Sequence, residues 1–278
     1  MTTRVLLCES TGLTLLVKME DPGNRSDERR QSRLPRPPRE RKALGLALWF
    51  LRATASVLLK DLRIELSTGE IVTTTVFFAI LVAILEAVSL STGPDATTRV
   101  APGALWLAIV FSSVLALGRT WQREREESAF TGLLVAPIPR AAIWCGKALG
   151  VLAFVIVVEI VLVPFVALLF HVDLPAVAGV LAVVMLLGSV GVAATGTLFG
   201  AMTVRTRARE LLLAAVMFPL LSPSLLASVV ATREVFYAAV SGQPTSLSDV
   251  RDSLVLLVVF DVVAIAGAIG MFGALLDD

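Results

Sequence analysis

Residues 148–170 read ALGVLAFVIVVEIVLVPFVALLF, an apolar run interrupted only by Glu159 and Pro164. A helix crosses the hydrocarbon of a bilayer in about 20 residues, so a run of this length is expected to be a membrane span. Five more occur, at 71–90, 101–118, 176–201, 211–231 and 253–276. Lipid offers the backbone no hydrogen-bonding partner, so each run must close its own bonds as a helix. The expected fold class is therefore all-α: a polytopic membrane protein with six transmembrane helices. The fourth and fifth runs are long enough to tilt or to include interfacial turns. Composition agrees, since 17% of the residues are charged against about a quarter in soluble domains.

Lys and Arg in the short connections set the orientation. The connection after the second run carries Arg119, Arg123, Arg125, Arg140 and Lys147, and the one after the fourth carries Arg205, Arg207 and Arg209. The opposite side has only Arg99, Arg233 and Arg251. Both termini are thus expected inside, in keeping with an even number of spans.

Residues 1–43 contain DPGNRSDERRQSRLPRPPRERK, too charged and too rich in proline to bury a core. They read as a disordered cytoplasmic tail or as the product of a start codon placed too early; the permease domain is assigned to 44–278. Within 46–70, Arg52, Lys60 and Arg63 fall inside a quarter turn of an ideal helix. That pattern fits a helix lying on the inner surface with its basic face toward anionic headgroups, or an amphipathic lead-in to the first span.

Several chemistries are excluded. A net charge of +1 gives no field for nucleic acid. Cys8 and Cys145 make neither a CxxC nor a CxxCH pair, and with His171 as the single histidine a multi-histidine metal centre cannot form. No GxxxxGK[ST] loop, nucleophile elbow or HExxH occurs; CGK at Cys145–Lys147 continues with alanine. The chain is expected to be no enzyme and to bind no cofactor itself. Any uphill transport must draw on an ion gradient or on a separate ATPase.

The segment WQREREESAFTGLLVAPIPRAAIWCGK, residues 121–147, is longer than a passive connector requires. Phe130, Leu133 and Leu134 recur at helical spacing, Arg123 and Glu126 can pair at i, i+3, and Pro137 and Pro139 stop the helix. A short helix with a charged first half and an apolar stripe suits docking into a partner's groove. It equally suits a hairpin lying on the membrane surface.

Three acids fall within the runs: Glu86, Glu159 and Asp261. An ionised carboxylate in hydrocarbon must face the bundle interior, find a partner or be protonated. They read either as an acidic lining in the outer half of a cavity or as neutral carboxyls bonded to Ser or Thr. An acidic lining argues against the passage of an anionic substrate. His171, in LLFHVDLP, is the one candidate imidazole ligand, although a lone interfacial histidine is more often a residue that ends a span. Tyr237 and Met271 are weaker candidates still. The GxxxG pairs Gly146/Gly150 and Gly196/Gly200, and Gly267, Gly270 and Gly273, mark close packing within the bundle or across a homodimer. Pro164, Pro219 and Pro223 are expected to kink or end helices, with short outer helices after the last two.

The string EREESAFTGLLVAPIPRAAIWCGKALG resembles the first cytoplasmic loop of ABC-2-type permeases, and more closely that of the heme exporter protein B (CcmB) family of cytochrome c maturation. That family's loop runs approximately E-R-E-x-G-T-L-x-x-L-L-x-[SA]-P, with G-K soon after. LFGAMTVRTRARELLLAAVMFPLLSP (198–223) and KDLRIEL (60–66) are similar to the family as well. The resemblance implies an integral subunit of an ABC transporter in the bacterial inner membrane, multi-pass in lipid, and partnered by a CcmA-like ATPase that supplies ATP. It further implies a CcmC-like heme-handling membrane protein, a CcmE-like heme chaperone, and heme as the candidate substrate, with His171 its candidate contact and its anionic propionates ill-suited to an acidic lining. Glu124, Arg125, Glu126, Leu133, Leu134 and Pro137 match the family's loop, while Ser128, Ala129 and Phe130 replace its Gly-Thr-Leu. Arg205, Arg207, Arg209 and Glu210 fall in its second cytoplasmic loop. The preferred expectation is a subunit that powers rearrangement of heme-chaperone proteins. The alternatives are a generic ABC-2 exporter of a drug, lipid or polysaccharide, and a secondary transporter without an ATPase.

Overall fold

The computed structural model describes residues 43–90, 96–126, 138–203 and 209–275, with side chains over 47–89, 98–121, 138–202 and 215–272. The described residues form eight helices and no strand. These are α1 (Ala43–Thr68), α2 (Glu70–Leu90), a single turn α3 (Ala96–Arg99), α4 (Ala101–Glu126), α5 (Arg140–Phe170), α6 (Leu174–Thr203), α7 (Arg209–Ser241) and α8 (Arg251–Leu275). All but α1 and α3 are long and apolar enough to cross a bilayer. The chain is a polytopic helical membrane protein. Residues 1–42 of the expected tail 1–43 lie outside the described residues, and Ala43 opens α1.

α2 reads EIVTTTVFFAILVAILEAVSL, a β-branched composition with poor intrinsic helix propensity. The apolar surroundings override that preference, because only a helix satisfies the backbone there. α1 is joined to α2 through Gly69, whose φ of +62° makes the turn that favours glycine. Glu65 Oε1 accepts the Val72 N–H at 2.8 Å, which covers one of the unpaired amides at the start of α2 and sets a carboxylate against the helix dipole.

Several boundaries differ from expectation, and α4 runs on to Glu126 instead of ending at 118. α5 begins at Arg140 instead of 148, since Pro139 holds an extended conformation at its N-cap and the Pro139 carbonyl accepts the Ala142 and Ile143 amides at 2.9 and 3.3 Å. It then runs through Pro164 to Phe170. Of the kink or end expected at Pro219 and Pro223, the end does not occur, nor do the short outer helices beyond; α7 is one helix of 33 residues. Pro223 lacks the N–H that the Pro219 carbonyl would accept. The Ser222 hydroxyl donates to that carbonyl at 2.8 Å in its place, a common repair in membrane helices.

α6 is the hub of the bundle, packing on α4, α5, α7 and α8, and residues 191–198 are buried without a gap. Its glycines set the distances. A Cβ on Gly188 would overlap the Trp106 indole, one on Gly196 would overlap Leu117, and one on Gly200 would overlap Trp121. α4 and α6 therefore lie parallel in close register. α7 runs antiparallel to both, with Ser224, Ser228 and Thr232 on one buried face. Trp106 Nε1 donates to Thr232 Oγ1 at 2.9 Å, and the Phe111 and Phe218 rings stand 5.1 Å apart. α2 packs on α4 and α5, while α8 packs on α5, α6 and α7. Gly267 and Gly270 of α8 have nothing within 4 Å of a built Cβ, so they make no close packing within the described bundle; the surroundings of Gly273 lie outside the described residues.

Candidate functional site

At the end of the bundle where the two Arg-rich connections lie, four helices meet around one buried ion pair. Lys147 Nζ is 2.8 Å from Asp61 Oδ2, with side chains 1% and 8% exposed. Lys60 Nζ approaches the other oxygen, Asp61 Oδ1, at 3.1 Å. The Lys147 ammonium also stands 5.8 Å from the Trp121 ring centroid, within cation–π range. Gly146 and Gly150 let α1 reach α5: a Cβ on Gly146 would lie 2.6 Å from Val57 Cβ, and one on Gly150 3.7 Å from Asp61 Oδ2. Gly200 does the same for Trp121 and α6. The GxxxG pairs anticipated as packing sites are thus the floor of this junction.

α1 turns Ala53, Thr54, Val57, Asp61 and Glu65 inward, while Arg52 and Arg63 remain exposed. The packed stripe lies on the side of the helix away from those two cations. Lys60 is drawn from the expected basic face into the pair with Asp61. Lys147, counted in the sequence as a loop cation, is instead a buried member of α5.

The first Arg-rich connection springs from this junction. Arg123, Glu124, Arg125 and Glu126 form the last turn of α4, so the charged half of the expected docking helix continues a span. Phe130, Leu133, Leu134 and Pro137 lie outside the described residues. In the second connection, Arg205 and Arg207 also lie outside them, and Arg209 and Glu210 open α7.

The three carboxyls do not share one site. Glu86 is on α2, half-buried, with Oε2 lacking a partner among the described residues. Glu159 is buried on α5 and its Oε1 accepts the Ser189 hydroxyl of α6, the hydrogen-bonded arrangement considered for such a group. Asp261 lies on α8 against Gly191 of α6. α2 packs on α4 and α5, whereas α8 packs on α5, α6 and α7.

His171 is exposed and closes α5 as its C-cap, in the left-handed conformation at φ 56° and ψ 42°. The Val172 N–H bonds back to the Ala167 carbonyl at 2.9 Å, the wrapping of a helix end. The position serves as a helix end, and no group of three His, Cys, Asp or Glu that could hold a metal ion occurs among the described residues.

Sequence reasoning misses Asp61, Trp121, Gly188 and Gly191. Asp61 stands in KDLRIEL and Lys147 in CGK, two strings notable for separate reasons, and an acid in one with a cation in the other was the available signal for their pairing.

Comparison with known proteins bears on the whole span of this architecture. The model of the CcmB protein family matches residues 52–273, from the middle of α1 to the last turns of α8. Heme exporter protein B of Bradyrhizobium diazoefficiens is 29% identical over 200 residues, covering 71% of this chain and 89% of that protein. The Paracoccus denitrificans protein of the same name is 30% identical over 180 residues, 64% of this chain and 81% of its own. That of Pseudomonas aeruginosa is 28% identical over 181 residues, covering 64% and 77%. A match extending through α1, all six spans and both basic connections leaves one assignment: the chain belongs to the CcmB family.

Proposed function

We propose that this protein is the transmembrane subunit of an ATP-driven complex that delivers heme for c-type cytochrome assembly. It sits in the bacterial plasma membrane with both termini in the cytoplasm. A separate CcmA-like ATPase docks on the connection between α4 and α5 and hydrolyses the ATP; the chain itself catalyses nothing. The complex includes a CcmC-like membrane protein and a CcmE-like heme chaperone, and its stroke releases heme-loaded chaperone.

The observation that carries this reading is the extent of the likeness to proteins named heme exporter protein B, which covers up to 89% of such a relative. The buried Lys147–Asp61 junction supports the coupling part: α1, α4, α5 and α6 are tied together where the loops leave the bundle. Chaperone release is favoured over heme conduction by the core chemistry. Glu159 and Asp261, buried on α5 and α8, are acids, and neither can pair with a propionate as a cation would.

A deletion strain tests the reading. It should lack holo-cytochrome c and accumulate chaperone with heme still attached, and this chain should restore both. Normal holo-cytochrome c in the deletion strain would overturn it.

A further inference from the structure

Asp261 on α8 and Ser224 on α7 converge on Gly191 of α6. A Cβ built there would lie 2.9 Å from Asp261 Oδ1 and 3.1 Å from Ser224 Oγ, so two oxygens from different helices meet where the third helix has no side chain. Asp261 is 5% exposed and Ser224 1%. Neither carboxyl oxygen, nor the Ser224 hydroxyl, has a hydrogen-bond partner among the described residues.

The neighbouring elements bring no compensating charge. α6 carries no titratable residue at all. α5 carries Arg140, Cys145, Lys147 and Glu159; of these, Lys147 is held by Asp61 at the basic end and Glu159 by Ser189. α7 carries Arg209 and Glu210 at one end and Arg233, Glu234 and Tyr237 toward the other. α8 adds Arg251 and Asp252 at its start. At 1.5 Å rise per residue, Arg251 stands about 15 Å along the axis from Asp261, and Arg233 about 14 Å from Ser224, beyond ion-pairing reach. A charged carboxylate in this setting lacks everything that normally retains one in a membrane.

We propose that Asp261, with Ser224, forms an intramembrane proton-binding site. The carboxylate takes one proton from bulk water, and the resulting O–H faces the Ser224 hydroxyl across the bare face of Gly191. A proton fits where a metal ion does not. Hard cations such as Ca²⁺ and Mg²⁺ gather about six or more oxygens, whereas two side chains supply oxygen here and the Gly191 carbonyl already accepts the Thr195 hydroxyl at 2.6 Å. Because the site lies where α6, α7 and α8 touch, packing of these helices holds the proton and their separation admits water and releases it. The inference rests on the membrane fold alone and stands whether or not heme is the substrate.

Infrared difference spectroscopy on the full chain in lipid nanodiscs tests this. The wild-type minus Asp261→Asn spectrum at neutral pH should contain a protonated-carboxyl carbonyl band that shifts in D2O. Ser224→Ala should move that band, Glu159→Gln should leave it in place, and exchange of sodium for potassium should not alter it. Absence of an Asp261-dependent band at neutral pH, or its conversion to a carboxylate band on adding sodium, overturns the proposal. Should Asp261→Asn fail to fold, a hydrophobic carbodiimide applied to the wild type discriminates equally well. Mass spectrometry should then find the N-acylurea on the Asp261 peptide at neutral pH and less of it at alkaline pH; no adduct there at neutral pH counts against the site.

Discussion

Lys147 Nζ and Asp61 Oδ2 are 2.8 Å apart, on helices α5 and α1, with both side chains almost wholly withdrawn from solvent. Breaking a buried pair by removing one member costs about 3–5 kcal/mol, whereas replacing both with apolar groups of similar size is often neutral; Lys60, 3.1 Å from Asp61 Oδ1, should make the loss of Lys147 the milder of the two. Lys147→Met alone and Asp61→Leu alone should each lower the thermal midpoint of the purified protein in detergent, and the double variant should recover most of the loss. Two additive losses would show that the pair contributes no coupling of its own.

The glycines of α6 and α8 should respond oppositely to alanine. Gly188→Ala and Gly200→Ala drive a methyl into the Trp106 and Trp121 indoles, and overpacking of this kind costs about 1–3 kcal/mol. Gly267→Ala and Gly270→Ala meet nothing within 4 Å and gain helix propensity of up to about 1 kcal/mol. Thermal midpoints of the four variants should fall for the first two and hold or rise for the second two.

Glu159 and Ser189 form a hydrogen bond between α5 and α6 in the buried core. Glu159→Gln keeps an acceptor for the Ser189 hydroxyl and should leave the thermal midpoint close to that of the wild type. Ser189→Ala leaves the carboxyl oxygen without its donor and should cost about 1–3 kcal/mol, seen as a lower thermal midpoint. Holo-cytochrome c levels in cells carrying Glu159→Gln then separate a packing role from a working one: wild-type levels identify the carboxyl as structural.

The coupling assignment is tested on the connection itself. Glu126→Lys reverses a charge in the last turn of α4, and Phe130→Asp removes an apolar side chain from the segment beyond it. The pair of changes should abolish co-purification of the ATPase and coupled ATP hydrolysis while leaving the chain folded in the membrane. Undiminished ATPase recovery would falsify docking at this connection.

The six spans are legible in the sequence because bilayer thickness imposes a length, and the apolar runs announce it. Sequence and structure part where a residue's local chemistry points one way and its neighbours in space another. Arg140 and Lys147 look like loop cations, yet Lys147 is a buried helix residue because Asp61 awaits it on α1. Pro219 and Pro223 look like helix breaks, yet Ser222 supplies the missing donor and α7 continues. Gly188 and Gly191 give no periodic signal, since what makes them matter is Trp106 on one side and Asp261 on the other. The GxxxG pairs are legible as close contacts but not as to partner: a small residue reveals that something approaches, never what.

The keying of Trp106, Leu117 and Trp121 into the notches at Gly188, Gly196 and Gly200 has a mechanical corollary. Two helices that are not consecutive in the chain, α4 and α6, are locked along their length into a single spar. One basic connection departs from the foot of α4 and the other from the foot of α6. The two basic connections therefore leave the bundle from a pair of helices keyed to each other at three levels, not from independent ones.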